Sequence, residues 1–183
     1  MARIETSPRA LLLTGVPGIG KSTLLRRVAD QLGGHSLGGF ITDELRGHGG
    51  GRVGFALRPF AGPEAVLAHV GIRGPARVGR YGVDLAALDA VVDRALAPGF
   101  ARYLVDEVGK MECLSQRFVA AMERLLAGAA PLVATVALRG RGFIARIKQL
   151  PGVELLQVER DNRERLPAQV LGWLRADGSL PGP

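Results

Sequence analysis

Residues 15–22 read Gly-Val-Pro-Gly-Ile-Gly-Lys-Ser, a complete G-x-x-x-x-G-K-[ST] string. The apolar run Ala10-Leu11-Leu12-Leu13-Thr14 precedes it, and a helix-like stretch from Ser22 to Leu32 follows. A buried strand that enters a glycine-rich loop and leaves it as a helix is the first unit of a parallel α/β sheet. The loop through Gly15, Val16, Pro17, Gly18, Ile19 and Gly20 can curl so that its N–H groups face inward. With the helix N-terminus beyond, those groups cradle a β-phosphate. Lys21 can reach the β- and γ-phosphates, the Ser22 hydroxyl can ligate Mg²⁺, and Thr23 completes the nucleotide-binding set. An ordinary glycine-rich turn leaves the lysine unexplained. The chain has 24 Lys and Arg together but only three lysines, Lys21, Lys110 and Lys148.

At 183 residues, 47% hydrophobic and 5% aromatic, the chain suits a single α/β domain spanning 1–183 with an Ala, Val, Leu and Ile core. The formal net charge of +7 admits a nucleic-acid partner, but the arginines are scattered, not clustered, and no motif indicates one. The one cysteine, Cys113, excludes an intrachain disulfide and a cysteine metal site, and His35, His48 and His69 have no ligand spacing. No apolar run approaches membrane-spanning length, and the N-terminus lacks a signal-like core. A soluble, cytoplasmic and monomeric protein is the expectation.

Strand-like and helix-like stretches alternate. Gly38–Thr42 follows as a strand, 47–51 as a hairpin turn and Arg52–Phe60 as an antiparallel return. Gly62–Val70 is expected to form a short helix and Arg77–Tyr81 a strand. Asp84 should cap a helix over Leu85–Leu96. Ala101–Val105, Leu132–Leu138 and Val153–Val158 read as buried strands, and Gln116–Ala127 and Phe143–Leu150 as helices. Asp161 or Asn162 should cap a last helix with Pro167 in its first turn, and 177–183 should form a frayed tail.

A nucleotide hydrolase also needs a carboxylate at the end of a neighbouring buried strand. Tyr103-Leu104-Val105-Asp106-Glu107 supplies two. Asp106 would hold Mg²⁺ through its water shell at the carboxyl end of the sheet. Glu107 would polarise a water in line with the γ-phosphate, and an acid directly after the strand Asp favours hydrolysis over transfer to a bound hydroxyl. Glu44 and Arg46 form either a pair facing the γ-phosphate or a solvated strand-end ion pair. Lys110 faces the phosphates or pairs with Glu112. Arg139, Arg141 and Arg146 offer an arginine finger or only surface charge. The Asn-Lys-x-Asp guanine readout is absent, and Thr23 breaks a dinucleotide-type G-x-G-x-x-G.

Several segments together resemble the small P-loop nucleoside-triphosphatases of the thermophilic-archaeal and human cancer-related type. They are the loop through Thr23, Gly39-Phe40-Ile41-Thr42-Asp43-Glu44-Leu45-Arg46, Gly51–Phe55, Val78–Val83, Val105-Asp106-Glu107-Val108-Gly109-Lys110-Met111-Glu112, Ala134–Val136 and Asn162-Arg163. The Asp-Glu-x-Gly-Lys-Met-Glu and Gly-Phe-x-Thr-x-Glu-x-Arg strings are far more selective than the loop. Val108 in place of the usual Ile, and Cys113-Leu114-Ser115 after the Met-Glu, are the departures. The resemblance implies a five-stranded parallel core of RecA/AAA-like type flanked by helices, with an added antiparallel hairpin. It also implies Mg²⁺-dependent hydrolysis of ATP, GTP, CTP and UTP with low base selectivity. Asp106 and Glu107 fall on the family's Walker B acids, and Lys110 on a lysine near the phosphates. With no assured arginine finger, turnover should be slow. The competing readings are a small-molecule or polynucleotide kinase, and a nucleotide-dependent nucleic-acid-binding module.

Overall fold

The computed structural model describes residues 9–33 and 36–176, so the tail expected at 177–183 lies outside the described residues. The strands are β1 (Ala10–Thr14), β2 (Leu37–Arg46), β3 (Arg52–Pro59), β4 (Ala65–His69), β5 (Arg77–Val78), β6 (Tyr81–Val83), β7 (Arg102–Val108), β8 (Leu132–Val136) and β9 (Val153–Gln157). The α-helices are α1 (Lys21–Leu32), α2 (Leu85–Ala95), α3 (Gln116–Ala127), α4 (Phe143–Ile147) and α5 (Leu166–Ala176). The strands form one sheet in the order β5-β6-β4-β3-β2-β7-β8-β1-β9. From β2 to β9 the pairing is parallel, which gives the expected five-stranded core.

The central strands are continuous apolar runs because both of their faces are covered. All five residues of β1 and of β8 are buried. Alternate side chains of β1 serve opposite faces. Leu11 and Leu13 pack with Leu25 and Val28 of α1 and Leu171 of α5, and Leu12 joins Leu88 of α2 and Phe118 and Met122 of α3. Capping fixes two helix starts. Asp84 Oδ1 accepts from Ala87 N–H at 2.9 Å, and Ser115 Oγ accepts from Phe118 N–H at 3.0 Å.

Three local expectations change. The stretch expected to be a helix at Gly62–Val70 contains β4, antiparallel to β3. Ala65–His69 is too short to nucleate a helix alone, and β3 offers it a ladder of backbone partners. Arg77–Tyr81 contributes to two short strands, β5 and β6, which turn at Gly79. The added antiparallel hairpin is thus a four-stranded extension, β3-β4-β6-β5, continuing the sheet beyond β2. Finally, Asn162 does not cap α5 through its side chain. Its Oδ1 accepts from Glu159 N–H at 2.9 Å and its Nδ2 donates to the Gln157 carbonyl at 2.8 Å, closing the loop after β9. Pro167 does lie in the first turn of α5.

Candidate active site

The loop after β1 turns through Gly18 at φ 77° and Gly20 at φ 110°, left-handed conformations that glycine adopts without strain. Gly20 caps α1, so the first N–H groups of that helix point to the same place as the loop amides. Lys21 is only 8% exposed, and its ammonium donates to the carbonyl of Gly15 at 3.0 Å and of Val16 at 3.4 Å. These are weak, exchangeable partners that a phosphate can replace.

Asp106, 1% exposed, stands at the end of β7, facing this loop. Its Oδ1 accepts from Thr135 Oγ1 of β8 at 2.6 Å, its Oδ2 from Thr42 N–H of β2 at 3.5 Å, and Ser22 of α1 also hydrogen-bonds its carboxyl. The Thr42 hydroxyl donates to the Asp106 carbonyl. The carboxylate is therefore fixed from both neighbouring strands. Burial pushes its pKa up, and the hydrogen bonds from Thr135, Ser22 and Thr42, with Arg26, pull it back. Ser22 and Asp106 form an all-oxygen donor pair next to a phosphate cradle. That donor set fits Mg²⁺, which takes one or two protein oxygens, keeps several waters and shares the phosphates.

Glu107 follows through a cis peptide bond. Burial and the Asp106 charge raise its pKa, and Lys21 opposes them. A third carboxyl, Glu112, which the sequence offered only as a partner for Lys110, joins them. It is 4% exposed, and its Oε2 accepts from Gly109 N–H at 3.2 Å. Burial pushes it up to about 8, with Glu107 and Asp106 adding to the rise. Glu112 Oε2 and Glu107 Oε1 flank Gly109 so closely that a Cβ there would lie 2.8 and 2.9 Å from them.

A cavity of about 910 Å³ opens between the loop, the β7 end and the antiparallel extension. Gly15, Pro17, Gly18, Gly20, Lys21, Ser22, Thr23, Asp106, Glu107 and Lys110 all line it. Val16 and Ile19 do not: Val16 is half-exposed, and Ile19 packs into the core beneath the loop. Arg46 is not brought to the cavity either. It pairs with Glu44 at 2.7 Å and donates to the Gly50 carbonyl at 3.0 Å, the solvated strand-end arrangement. Arg52 lines the wall and holds the other side of Glu44, at 2.7 Å. Among the described residues Lys110 makes no ion pair with Glu112; it is exposed on the cavity wall. Of the three arginines after β8, Arg139 lines the cavity, Arg141 is exposed, and Arg146 pairs with Glu123. Thr42 and Thr135 were missed as site residues. Their signal in the sequence was a threonine beside apolar strand residues, within the Gly39–Arg46 and Ala134–Val136 segments that carry the resemblance.

A family model described as NTPase matches residues 10–171. The chain is 34% identical over 168 residues to nucleoside-triphosphatase THEP1 of Thermotoga sp. (strain RQ2), covering 90% of this chain and 95% of that protein. It is 31% identical over 176 residues to the human cancer-related nucleoside-triphosphatase, covering 86% and 92%. The crystal structure of THEP1 from the hyperthermophile Aquifex aeolicus superposes with a TM-score of 0.80 at 27% identity, over 90% of this chain and 98% of that one. The phosphate loop, the two strand-end acids and these matches lead to one assignment: the chain belongs to the NTPase family of P-loop nucleoside-triphosphatases.

Proposed function

We propose that this protein hydrolyses nucleoside 5′-triphosphates to diphosphate and phosphate with Mg²⁺, accepts ATP, GTP, CTP and UTP, and turns over slowly as a cytoplasmic, single-domain monomer. The observation that carries the reading is the convergence of Lys21 and Ser22 from the start of α1 with Asp106 and Glu107 from β7 on one cavity wall. The names of the relatives point to the same activity. Among the described residues no helix is long and apolar enough to cross a membrane.

The loop amides and the α1 N-terminus receive the β-phosphate, and the Lys21 ammonium leaves the Gly15 carbonyl for the β- and γ-oxygens. Ser22 directly, and Asp106 through water, would hold Mg²⁺, which supplies charge neutralisation across the β- and γ-phosphates. Glu107 orients a water in line with the γ-phosphorus and accepts its proton. A new oxygen–phosphorus bond forms as the bridge to the β-phosphate breaks. Glu107 suits this task because it stands on the cavity wall beside Lys21 and Asp106. Among the described residues, Arg139 on the cavity wall is exposed and Arg26 is paired with Asp43, and a finger contributes about 10³–10⁵ where present. The test is steady-state phosphate release with each of the four triphosphates, with and without Mg²⁺, in wild type and Lys21→Ala. A folded Lys21→Ala should lose about 10²–10³ in rate. Near-normal turnover in that variant would overturn the assignment.

A further inference from the structure

The cavity is larger than a triphosphate tail and one water require. At about 910 Å³ it lies near the top of the roughly 300–1,000 Å³ range of small-molecule sites. One half is the phosphate site. The other half is walled by Phe55 of β3, Leu67 of β4, Val78 of β5 and Met111 beyond β7. Its shape is fixed in advance. The Phe55 ring meets Tyr81 edge-on with centroids 5.3 Å apart, and the Arg52 guanidinium lies 5.2 Å from its centroid. Arg52 is itself held by Glu44 at 2.7 Å, a carboxylate it shares with Arg46.

The nucleotide does not fill this half. A phosphate loop places the γ-phosphate toward the lysine and the strand acids, and the α-phosphate toward the first turn of the helix. Gly20 and Thr23, in that turn, also line a second cavity of about 300 Å³ with Arg27, Arg163 and Glu164. Arg163 and Glu164 follow β9, whereas Phe55, Leu67 and Val78 belong to the opposite side of the sheet. The nucleoside therefore leaves the loop toward β9. The apolar half lies past the γ-phosphate, with Glu107 on the shared wall.

We propose that this apolar half is a subsite for a small, uncharged, ring-bearing alcohol that takes the γ-phosphoryl group in place of water. The inference rests on the hydrolase reading of the phosphate site. The acceptor oxygen bonds to the γ-phosphorus as the bridging bond to the β-phosphate breaks. The electron pair of that bond leaves with the nucleoside diphosphate, and the hydroxyl proton passes to the Glu107 carboxylate. The products are a nucleoside diphosphate and a phosphomonoester. The apolar wall of Phe55, Leu67, Val78 and Met111 favours an uncharged ring over an anionic body.

The experiment measures ADP and free phosphate separately while ATP·Mg²⁺ turns over, with each of the four ribonucleosides and benzyl alcohol added in turn at millimolar concentration. ADP in excess of phosphate with at least one probe, and a matching phosphomonoester, is the expected result. Val78→Trp, which fills the apolar half, should abolish the excess while hydrolysis without a probe is unchanged. Phe55→Leu should weaken it, so the placement stays testable if the tryptophan variant does not fold. ADP and phosphate in equal amounts with every probe would leave the hydrolase intact and overturn the acceptor subsite. An excess that survives both substitutions would also overturn it, because the acceptor would then bind elsewhere. Absence of both products would sink the hydrolase reading, and this one with it.

Discussion

Two carboxyls flanking Gly109, half-buried Glu107 and buried Glu112, have different tasks. Glu107 faces the phosphate half of the cavity, so Glu107→Gln should retain ATP·Mg²⁺ affinity and lose turnover, because shape and hydrogen bonding persist and only the proton acceptor is removed. Titration with nucleotide beside single-turnover kinetics separates the two; an equal fall in affinity would make Glu107 a binding residue. Glu112 holds the Gly109 amide, and its protonation is linked to folding. Its pKa rises from 4.5 in the unfolded chain to about 8 in the folded one, so the folded state binds the proton more tightly. Stability is unaffected below pH 4.5, then falls as the unfolded chain ionises, and levels off above about 8. Within that window the slope approaches about 1.4 kcal/mol per pH unit. Glu112→Gln, neutral throughout, should remove this dependence. Denaturant melts of both proteins at pH 5, 6.5 and 8 check it, and parallel curves would show that Glu112 is ionised in the folded protein.

Helix α2 carries the sheet face beneath the antiparallel extension, and its start depends on Asp84. Asp84→Ala should cost about 1 kcal/mol, a fall of roughly 2–4 °C in melting temperature, with hydrolysis unchanged. A thermal melt decides it. That cap was legible in the sequence because an acceptor side chain stood directly before a 3.6-residue apolar period, Leu85, Leu88, Val92 and Leu96. The parallel core was legible for a related reason: Leu11 to Leu13 and Leu132 to Ala134 are apolar without alternation, as a strand covered on both faces requires. The extension was not. Ala65-Val-Leu-Ala-His69 carries no period long enough to separate helix from strand, and its fate is decided by the free edge of β3, a partner distant in mechanism from any local propensity. The site divides along the same line. The residues adjacent in sequence, Gly15 to Thr23 apart from Val16 and Ile19, and Asp106-Glu107, could be placed together from the sequence; Thr42 and Thr135 could not, because their role exists only once β2 and β8 flank β7. Arg46 was the arginine picked out in the sequence, but the hairpin places it in solvent and puts Arg52 on the wall instead.

At the scale of the whole molecule, the arginines behind the charge of +7 are scattered along the sequence and not clustered in one segment. Arg27, Arg58, Arg117 and Arg163 each face a carboxylate within 4 Å, which weakens their field toward a polyanion. Single-stranded RNA should therefore leave phosphate release unchanged, and a salt-dependent stimulation would establish a nucleic-acid partner. The same distribution bears on base choice. The cavity on the β9 side of the loop is walled by Gly18, Ile19, Gly20, Thr23, Leu24, Arg27, Arg163 and Glu164. Its charged groups are tied together, Arg27 to Glu164 at 2.7 Å, and both are largely exposed. A site that rejects the wrong base does so by leaving buried polar groups unpaired, and solvent satisfies these groups whichever base is present. Specificity constants for ATP, GTP, CTP and UTP should lie within about tenfold of one another, or about 1.4 kcal/mol of differential transition-state binding. Competition between pairs of triphosphates measures the ratios directly. A preference of several hundredfold for one base would require a buried hydrogen-bonding pocket, and Arg163→Ala and Glu164→Ala would then show whether the loop after β9 closes to form it.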